Sequence, residues 1–456
     1  MKVYIETHGC SMNKSDSEIM AGLLLSAGFE VVDSEEEADV IVLNTCNVKG
    51  STEQRMIHRA KKLSSLKKPL VIAGCMAKTQ PDLLSRYSKV LIGPKSIDKI
   101  VDAVMHALRG EPFVAREDRE LIKVSMPRLR MDKVTSVIPV SEGCLGECSY
   151  CITRFARGRL RSYPPDLIIS EIERTVKEGY PQIFLTSEDM GAYGLDIGTN
   201  LASLLEKVAR IQGLFFIRVG MMNPHLVIPQ MDDLLSAFED IKFYKFFHIP
   251  VQSGSDKVLR DMRRRYSINQ FLEVVDAIRR KFGDFCTIST DVIVGFPTED
   301  EEDFQATLRV IETVKPEVIN ISKFAPRPLT PAALMKQLDP KVIKRRSKEL
   351  SELAYRVKMS RNIPHVGREY LALVVRRFSK DLFQARTLFY RPVRIRSLDL
   401  KEDLLVKVLI EGARSNFLEG KLLEIVAKVP CFTCFPDLGS SGPPQTDTTF
   451  DHEGCS

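Results

Sequence analysis

The chain has 456 residues, is 44% hydrophobic and 28% charged, and carries a formal net charge of +6. This is the balance of a soluble globular protein of about two to four domains. No apolar run approaches the roughly 18 residues a membrane span requires. The opening "MKVYIETHGC" has no apolar signal core or cleavage site, so a cytoplasmic protein is expected. In such a chain ten clustered cysteines serve metals or catalysis more readily than disulfides.

Residues 1–125 alternate strand and helix patterns. "KVYIET" reads as a short strand, and "NKSDSEIMAGLLLSAG" as a helix with apolar spacing at Ile19, Leu23 and Leu24, closed by Gly28. "ADVIVLNTC" and "PLVIAGC" are continuous apolar runs suited to parallel strands buried on both faces. The predicted unit is a small doubly wound α/β domain without a glycine-rich nucleotide loop. Cys10, Cys46 and Cys75 each fall just beyond the C-terminal end of a predicted strand. Open α/β sheets gather ligands along that edge. One such cysteine would pass as a small core residue; three at equivalent strand ends fit that reading poorly.

Residues 134–361 carry six β/α units, which predict a partial (β/α)6 barrel followed by a basic helix. The strand ends are polar: Glu142, Ser187-Glu188-Asp189, Asn223, Gln252-Ser253, Asp291 and Arg327. In such barrels the chemistry sits at those ends. After the first strand comes "EGCLGECSYC", with Cys144, Cys148 and Cys151 spaced C-x3-C-x2-C. Cys286 and His248 read more readily as core residues than as site residues.

Residues 365–427 read as short strands separated by turns, and predict a small antiparallel barrel. Residues 428–456, rich in Pro, Gly, Ser and Thr and containing a C-F-T-C pair, are expected to be a disordered tail. Residues 341–361 hold eight Lys/Arg against two Glu, and residues 365–427 hold twelve against eight acids, a net +10 for the two segments. Charge alone leaves open a solvated basic helix and a phosphate-facing surface. Lys344, Arg345 and Arg346 are the candidate phosphate contacts.

A structural zinc site wants four protein ligands, usually as two separated pairs, and no fourth Cys or His lies near the C-x3-C-x2-C loop. Iron–sulfur clusters use thiolates at such close spacing. A cubane held by three cysteines leaves one iron open to an outside ligand.

Spacing and place together resemble the radical S-adenosylmethionine (SAM) enzymes. The resemblance implies a 4Fe–4S cluster on Cys144, Cys148 and Cys151 whose open iron binds SAM, with reductive cleavage to a 5′-deoxyadenosyl radical. It also implies Tyr150 beside the adenine, and Ser187, Glu188 and Asp189 near the SAM amino group. The plain alternative for Glu188 and Asp189 is charge at a helix N-terminus.

With the N-terminal cysteines and the terminal barrel added, residues 1–427 resemble the radical SAM methylthiotransferases. The matching segments include "THGCSMNKSDSE", "NTCNVKGSTEQR", "AGCMAKTQP", "HIPVQSGSDKVL" and "DVIVGFPTEDEEDF". The resemblance implies a second 4Fe–4S cluster on Cys10, Cys46 and Cys75 that carries sulfur, and a C-terminal RNA-binding TRAM module. "LTSEDMGAYGLDIGTNL" is similar to the archaeal and eukaryotic branch, which implies methylthiolation at C2 of N6-threonylcarbamoyladenosine in tRNA, beside the anticodon. Substrates of related branches, isopentenyl-adenosine tRNA and a ribosomal protein side chain, are alternatives. So are a non-catalytic iron–sulfur RNA-binding protein and a cobalamin-dependent methyltransferase, although the last would need a D-x-H-x-x-G site. In "FAPRPLTPAA" Leu329 stands where the family usually has glycine. An electron donor such as ferredoxin or flavodoxin and a monomeric state are expected.

Overall fold

The structure, a computed structural model, describes residues 1–48 and 50–432. Strands β1 (Lys2–Thr7), β2 (Glu30–Val32), β3 (Val40–Thr45), β4 (Leu70–Gly74), β5 (Val90–Ile92) and β6 (Phe113–Ala115) form one sheet in the order β2-β1-β3-β4-β5-β6. Every pairing is parallel. Helix Ser11–Ser26 lays Ile19, Met20 and Leu24 on one face, and helix Gly50–Ser64 lays Met56, Ala60 and Leu63 on the other. Coverage of both faces explains why β3 and β4 are apolar without alternation. The strand order sets β1, β3 and β4 side by side, so the three strand-end cysteines share one edge.

β7 (Thr135–Pro139) opens the second unit, and a short antiparallel ribbon of β8 (Ser141–Glu142) and β9 (Arg161–Ser162) brackets the cysteine loop. β10 (Gln182–Thr186), β11 (Phe216–Val219), β12 (Phe246–His248), β13 (Thr287–Val294) and β14 (Val318–Lys323) follow. The ladders run β11-β10-β7 and β12-β13-β14, all parallel. A parallel bridge between Ile217 and Phe243 joins the two halves. Among the described residues no ladder joins β14 to β7, so this is the partial six-stranded barrel expected.

β15 (Glu369–Arg377), β16 (Leu382–Thr387), β17 (Pro392–Arg396), β18 (Leu404–Ala413) and β19 (Leu418–Lys428) close a barrel in the order β15-β16-β17-β19-β18. All its ladders are antiparallel except β17–β19. It docks on the partial six-stranded barrel through a shared apolar cluster that includes Phe216, Tyr244, Leu373 and Leu405. Among the described residues no helix is long and apolar enough to cross a membrane.

The structure corrects two expectations here. Residues 428–432 are not the start of a loose tail. Val429 is buried, and Cys431 pairs antiparallel with Leu214, whose N–H donates to the Cys431 carbonyl at 2.8 Å. The rest of the predicted tail, with its second C-F-T-C cysteine, lies outside the described residues. Leu329 keeps a glycine-like backbone, with φ of +67°. Helix Pro340–Asn362 packs Leu350, Leu353, Ala354 and Val357 into the core and keeps Lys341, Lys344, Arg345, Lys348 and Arg356 exposed, but Arg346 is only 4% exposed. Arg346 is an internal tether rather than a phosphate contact, because its guanidinium lies 2.8 Å from Glu299 and 3.2 Å from Glu301. Arg345 is exposed but also sits on Glu301, at 2.6 Å; Lys344 is exposed.

Candidate functional site

The two cysteine sets open onto one cavity of about 410 Å³, walled by Cys10, Cys46 and Cys75 on one side and Cys144, Cys148 and Cys151 on the other. All six are free thiols. The N-terminal set is braced by amides. Asn13 Nδ2 donates to the His8 and Thr45 carbonyls, each at 2.9 Å, and its Oδ1 lies 3.7 Å from Cys75 Sγ. Asn44 Nδ2 donates to Asn13 O at 2.9 Å and Ser17 Oγ at 2.8 Å. At Gly9 (φ +114°) an added Cβ would stand 2.6 Å from Cys46 Cβ.

The second loop is held by its own backbone. Cys144 N donates to Gly158 O at 3.1 Å, and Gly146 N to Cys144 Sγ at 3.1 Å. The Arg264 guanidinium reaches Cys148 Sγ at 3.2 Å and Tyr150 Oη at 3.5 Å. Burial pushes the Cys75 and Cys144 thiols up to about 12. They are neutral unless something replaces the proton.

Between the two sets lies a buried charge network. Lys123 Nζ is 2.8 Å from both Asp16 and Glu142; Arg157 is 2.7 Å from Asp16, 2.8 Å from Glu142 and 3.6 Å from Glu188. Burial raises the Glu188 carboxyl to about 7, against the pull of Arg157.

Tyr150, Ser187, Glu188 and Asp189 all line the cavity. Ser187 Oγ is buried without a hydrogen-bond partner among the described residues. Glu188 Oε2 accepts from Gly143 N at 2.9 Å. Asp189 does structural duty: it caps the turn Met190–Ala192 by accepting from Gly191 N at 3.1 Å, and Asn223 Nδ2 donates to it at 2.6 Å. His248 is corrected from core to cavity wall, its Nε2 2.8 Å from Asp291 Oδ2. Cys286 is fully buried, as expected. Sequence reasoning missed Arg157, Arg218 and Arg264; the run Arg263-Arg264-Arg265 was the one available signal.

Do these residues fit iron–sulfur clusters? Among the described residues no three His, Cys, Asp or Glu side chains converge on a single-ion site. The arginines beside Cys148 and near Cys10 and Cys75 suit the negative charge of ligating thiolates.

Residues 138–311 match the Radical SAM superfamily, and residues 2–93 match the uncharacterized protein family UPF0004. The chain is a radical SAM enzyme, a class whose cofactors are a 4Fe–4S cluster and SAM. A solved radical SAM methyltransferase, TsrM from Kitasatospora setae, shares the fold at a TM-score of 0.54 and 14% identity, covering 73% of this chain and 77% of that one. Much closer in sequence is a probable threonylcarbamoyladenosine tRNA methylthiotransferase of Pyrococcus horikoshii, 41% identical over 92% of this chain and 96% of the relative. The Homo sapiens threonylcarbamoyladenosine tRNA methylthiotransferase is 36% identical over 92% of this chain and 74% of its own length. The chain belongs to the threonylcarbamoyladenosine tRNA methylthiotransferase family.

Proposed function

We propose that the protein inserts a methylthio group at C2 of N6-threonylcarbamoyladenosine in tRNA, with Cys144, Cys148 and Cys151 holding the SAM cluster and Cys10, Cys46 and Cys75 a second 4Fe–4S cluster. The observation that carries this reading is the single cavity shared by the two cysteine triads. When bound, SAM and the clusters supply the electron, the radical and the sulfur. The chain's residues hold and shield. Arg264 and Arg157 offset thiolate charge, Tyr150 flanks the adenine of SAM, and the cavity-facing Ser187 and Glu188 bind the SAM amino group. Asp189 orients that segment through its cap.

In this reading residues 1–125 carry the auxiliary cluster, residues 134–361 cleave SAM, and the closed barrel within residues 365–427 binds tRNA through its exposed arginines, with Lys344 at its margin. The chain works in the cytoplasm as a monomer served by a ferredoxin- or flavodoxin-like donor.

Anaerobic reconstitution with SAM, reductant and tRNA tests the assignment. Replacing Cys144, Cys148 and Cys151 by Ala should abolish 5′-deoxyadenosine formation. Replacing Cys10, Cys46 and Cys75 by Ala should spare it while removing the methylthio nucleoside from the mass spectrum. Normal SAM cleavage in the first variant, or full iron content in the second, overturns the respective assignment.

A further inference from the structure

A second cavity, of about 600 Å³, lies between the SAM barrel and the closed C-terminal barrel. Arg218 and His248 line both cavities and join them. Arg218 projects from β11 against three aromatic rings, its guanidinium carbon 4.7 Å from the Phe246 centroid, 5.1 Å from Phe184 and 5.5 Å from Tyr390. Its Nε is buried without a hydrogen-bond partner among the described residues. Among the described residues no carboxylate pairs with it; the charged group that most perturbs it by repulsion is Arg386. Arg386 stacks on the same Tyr390 ring, at 4.6 Å. One carboxylate lines this second cavity, Glu317, and it is taken by Arg279 at 2.9 Å, Arg361 at 2.6 Å and Arg391 at 3.4 Å.

Arg218 is only partly buried, but a guanidinium held over aromatic rings without an anion forgoes the charge-assisted hydrogen bonds that an anionic ligand entering the cavity would supply. Aromatic faces contribute to holding it but offer no oxygen for its N–H groups. The anion must reach Arg218 at the junction of the two cavities. On the function proposed above, the reacting base has C2 in the cluster cavity. Its N6 substituent leaves from another position on the ring and ends in the carboxylate of the threonyl unit. We infer that Arg218, seconded by Arg386, receives that carboxylate, and so selects adenosines bearing an N6-carbamoyl amino acid. This inference rests on the proposed function.

The test uses the reconstituted holoenzyme and three anticodon stem-loop RNAs: one with N6-threonylcarbamoyladenosine, one with its carboxylate methyl ester, and one with plain adenosine. Wild type should favour the acid over the ester by roughly 10- to 100-fold in kcat/KM, the worth of hydrogen bonds to a charged group. Arg218→Met, which keeps packing on the rings, should bring that ratio to about one, and Arg218→Lys should restore part of it. Iron content and the unfolding midpoint report folding of the variants. Equal use of acid and ester by wild type overturns the inference without any variant. So does a full acid preference in Arg218→Met. Weakening of all three RNAs by one factor in Arg218→Met also overturns it, and points to a backbone phosphate instead. If wild type forms no methylthio product on any RNA, the proposed function itself falls; if it modifies acid and ester alike, only the carboxylate assignment does.

Discussion

Asp16 and Arg157 meet at 2.7 Å with each side chain 1% exposed, and they join the helix that follows Cys10 to the helix that follows Cys151. The two cysteine triads are thereby held in one frame. With Lys123 and Glu142 on the same buried network, removal of one partner leaves uncompensated buried charge. Asp16→Ala should destabilise the protein by about 3–5 kcal/mol. Urea unfolding measures this; a loss below about 1 kcal/mol would show that the network does not hold the two units together.

Gly9 bears on one triad alone. Its φ of +114° is unfavourable for any side chain, and an added Cβ would meet Cys46 Cβ at 2.6 Å and Sγ at 2.9 Å. Gly9→Ala should displace Cys46 and lower iron to about half, one of two clusters being lost, while SAM cleavage continues. Iron analysis with 5′-deoxyadenosine assay checks it. A fully loaded variant would mean that Cys46 is not a ligand.

Arg346 separates packing from recognition. Its contacts to Glu299 and Glu301 are internal, so Arg346→Ala should cost about 3–5 kcal/mol of stability through the stranded Glu299. Lys344→Glu changes only an exposed position and should leave the stability within about 0.5 kcal/mol of wild type. Measured side by side, equal stabilities for the two variants would contradict the tether.

These residues show what the sequence makes legible. Cys10, Cys46 and Cys75 could be brought together on paper because three apolar runs ended at cysteine and parallel strands share their C-terminal edge. The C-x3-C-x2-C loop carried its own spacing. Arg157, Arg218 and Arg264 were hidden, because a long cation's partner is chosen by tertiary structure, and a local pattern does not distinguish an arginine on a thiol from one in water. Arg346 misled for the same reason: a basic run conceals the one member whose partners lie on another element. His248 sits on a strand with apolar neighbours, and only the barrel's direction of opening turns it to the cavity.

Leu329 resolves a departure from the family pattern. The backbone at φ +67° is the one glycine adopts freely, and the side chain is 61% exposed, so it gains little from packing. Leu329→Gly should relieve about 1–2 kcal/mol of left-handed strain and return part of that as unfolded-chain entropy, for a net gain of up to about 1 kcal/mol. An unchanged or lower thermal midpoint would mean that the turn derives its stability elsewhere.

His365 sets a pH dependence at the hinge between helix Pro340–Asn362 and β15. Its ring is 1% exposed, with Nδ1 hydrogen-bonded to the Tyr370 hydroxyl at 2.7 Å and the Phe285 ring centroid 4.8 Å away. Burial, then Arg391, Arg361 and Arg368, push its pKa from 6.5 to about 3. The fold therefore keeps the imidazole neutral, while the unfolded chain protonates it below about 6.5. Its stabilising contribution is complete above that pH and is lost as the pH falls toward 3. Between pH 7 and pH 5 the loss is about 2 kcal/mol. His365→Gln stays neutral throughout and can still hydrogen-bond Tyr370, so its stability should fall less over the same interval by about that amount. Urea midpoints at pH 7 and pH 5 for both proteins decide the matter, and parallel losses would place the acid sensitivity in other groups.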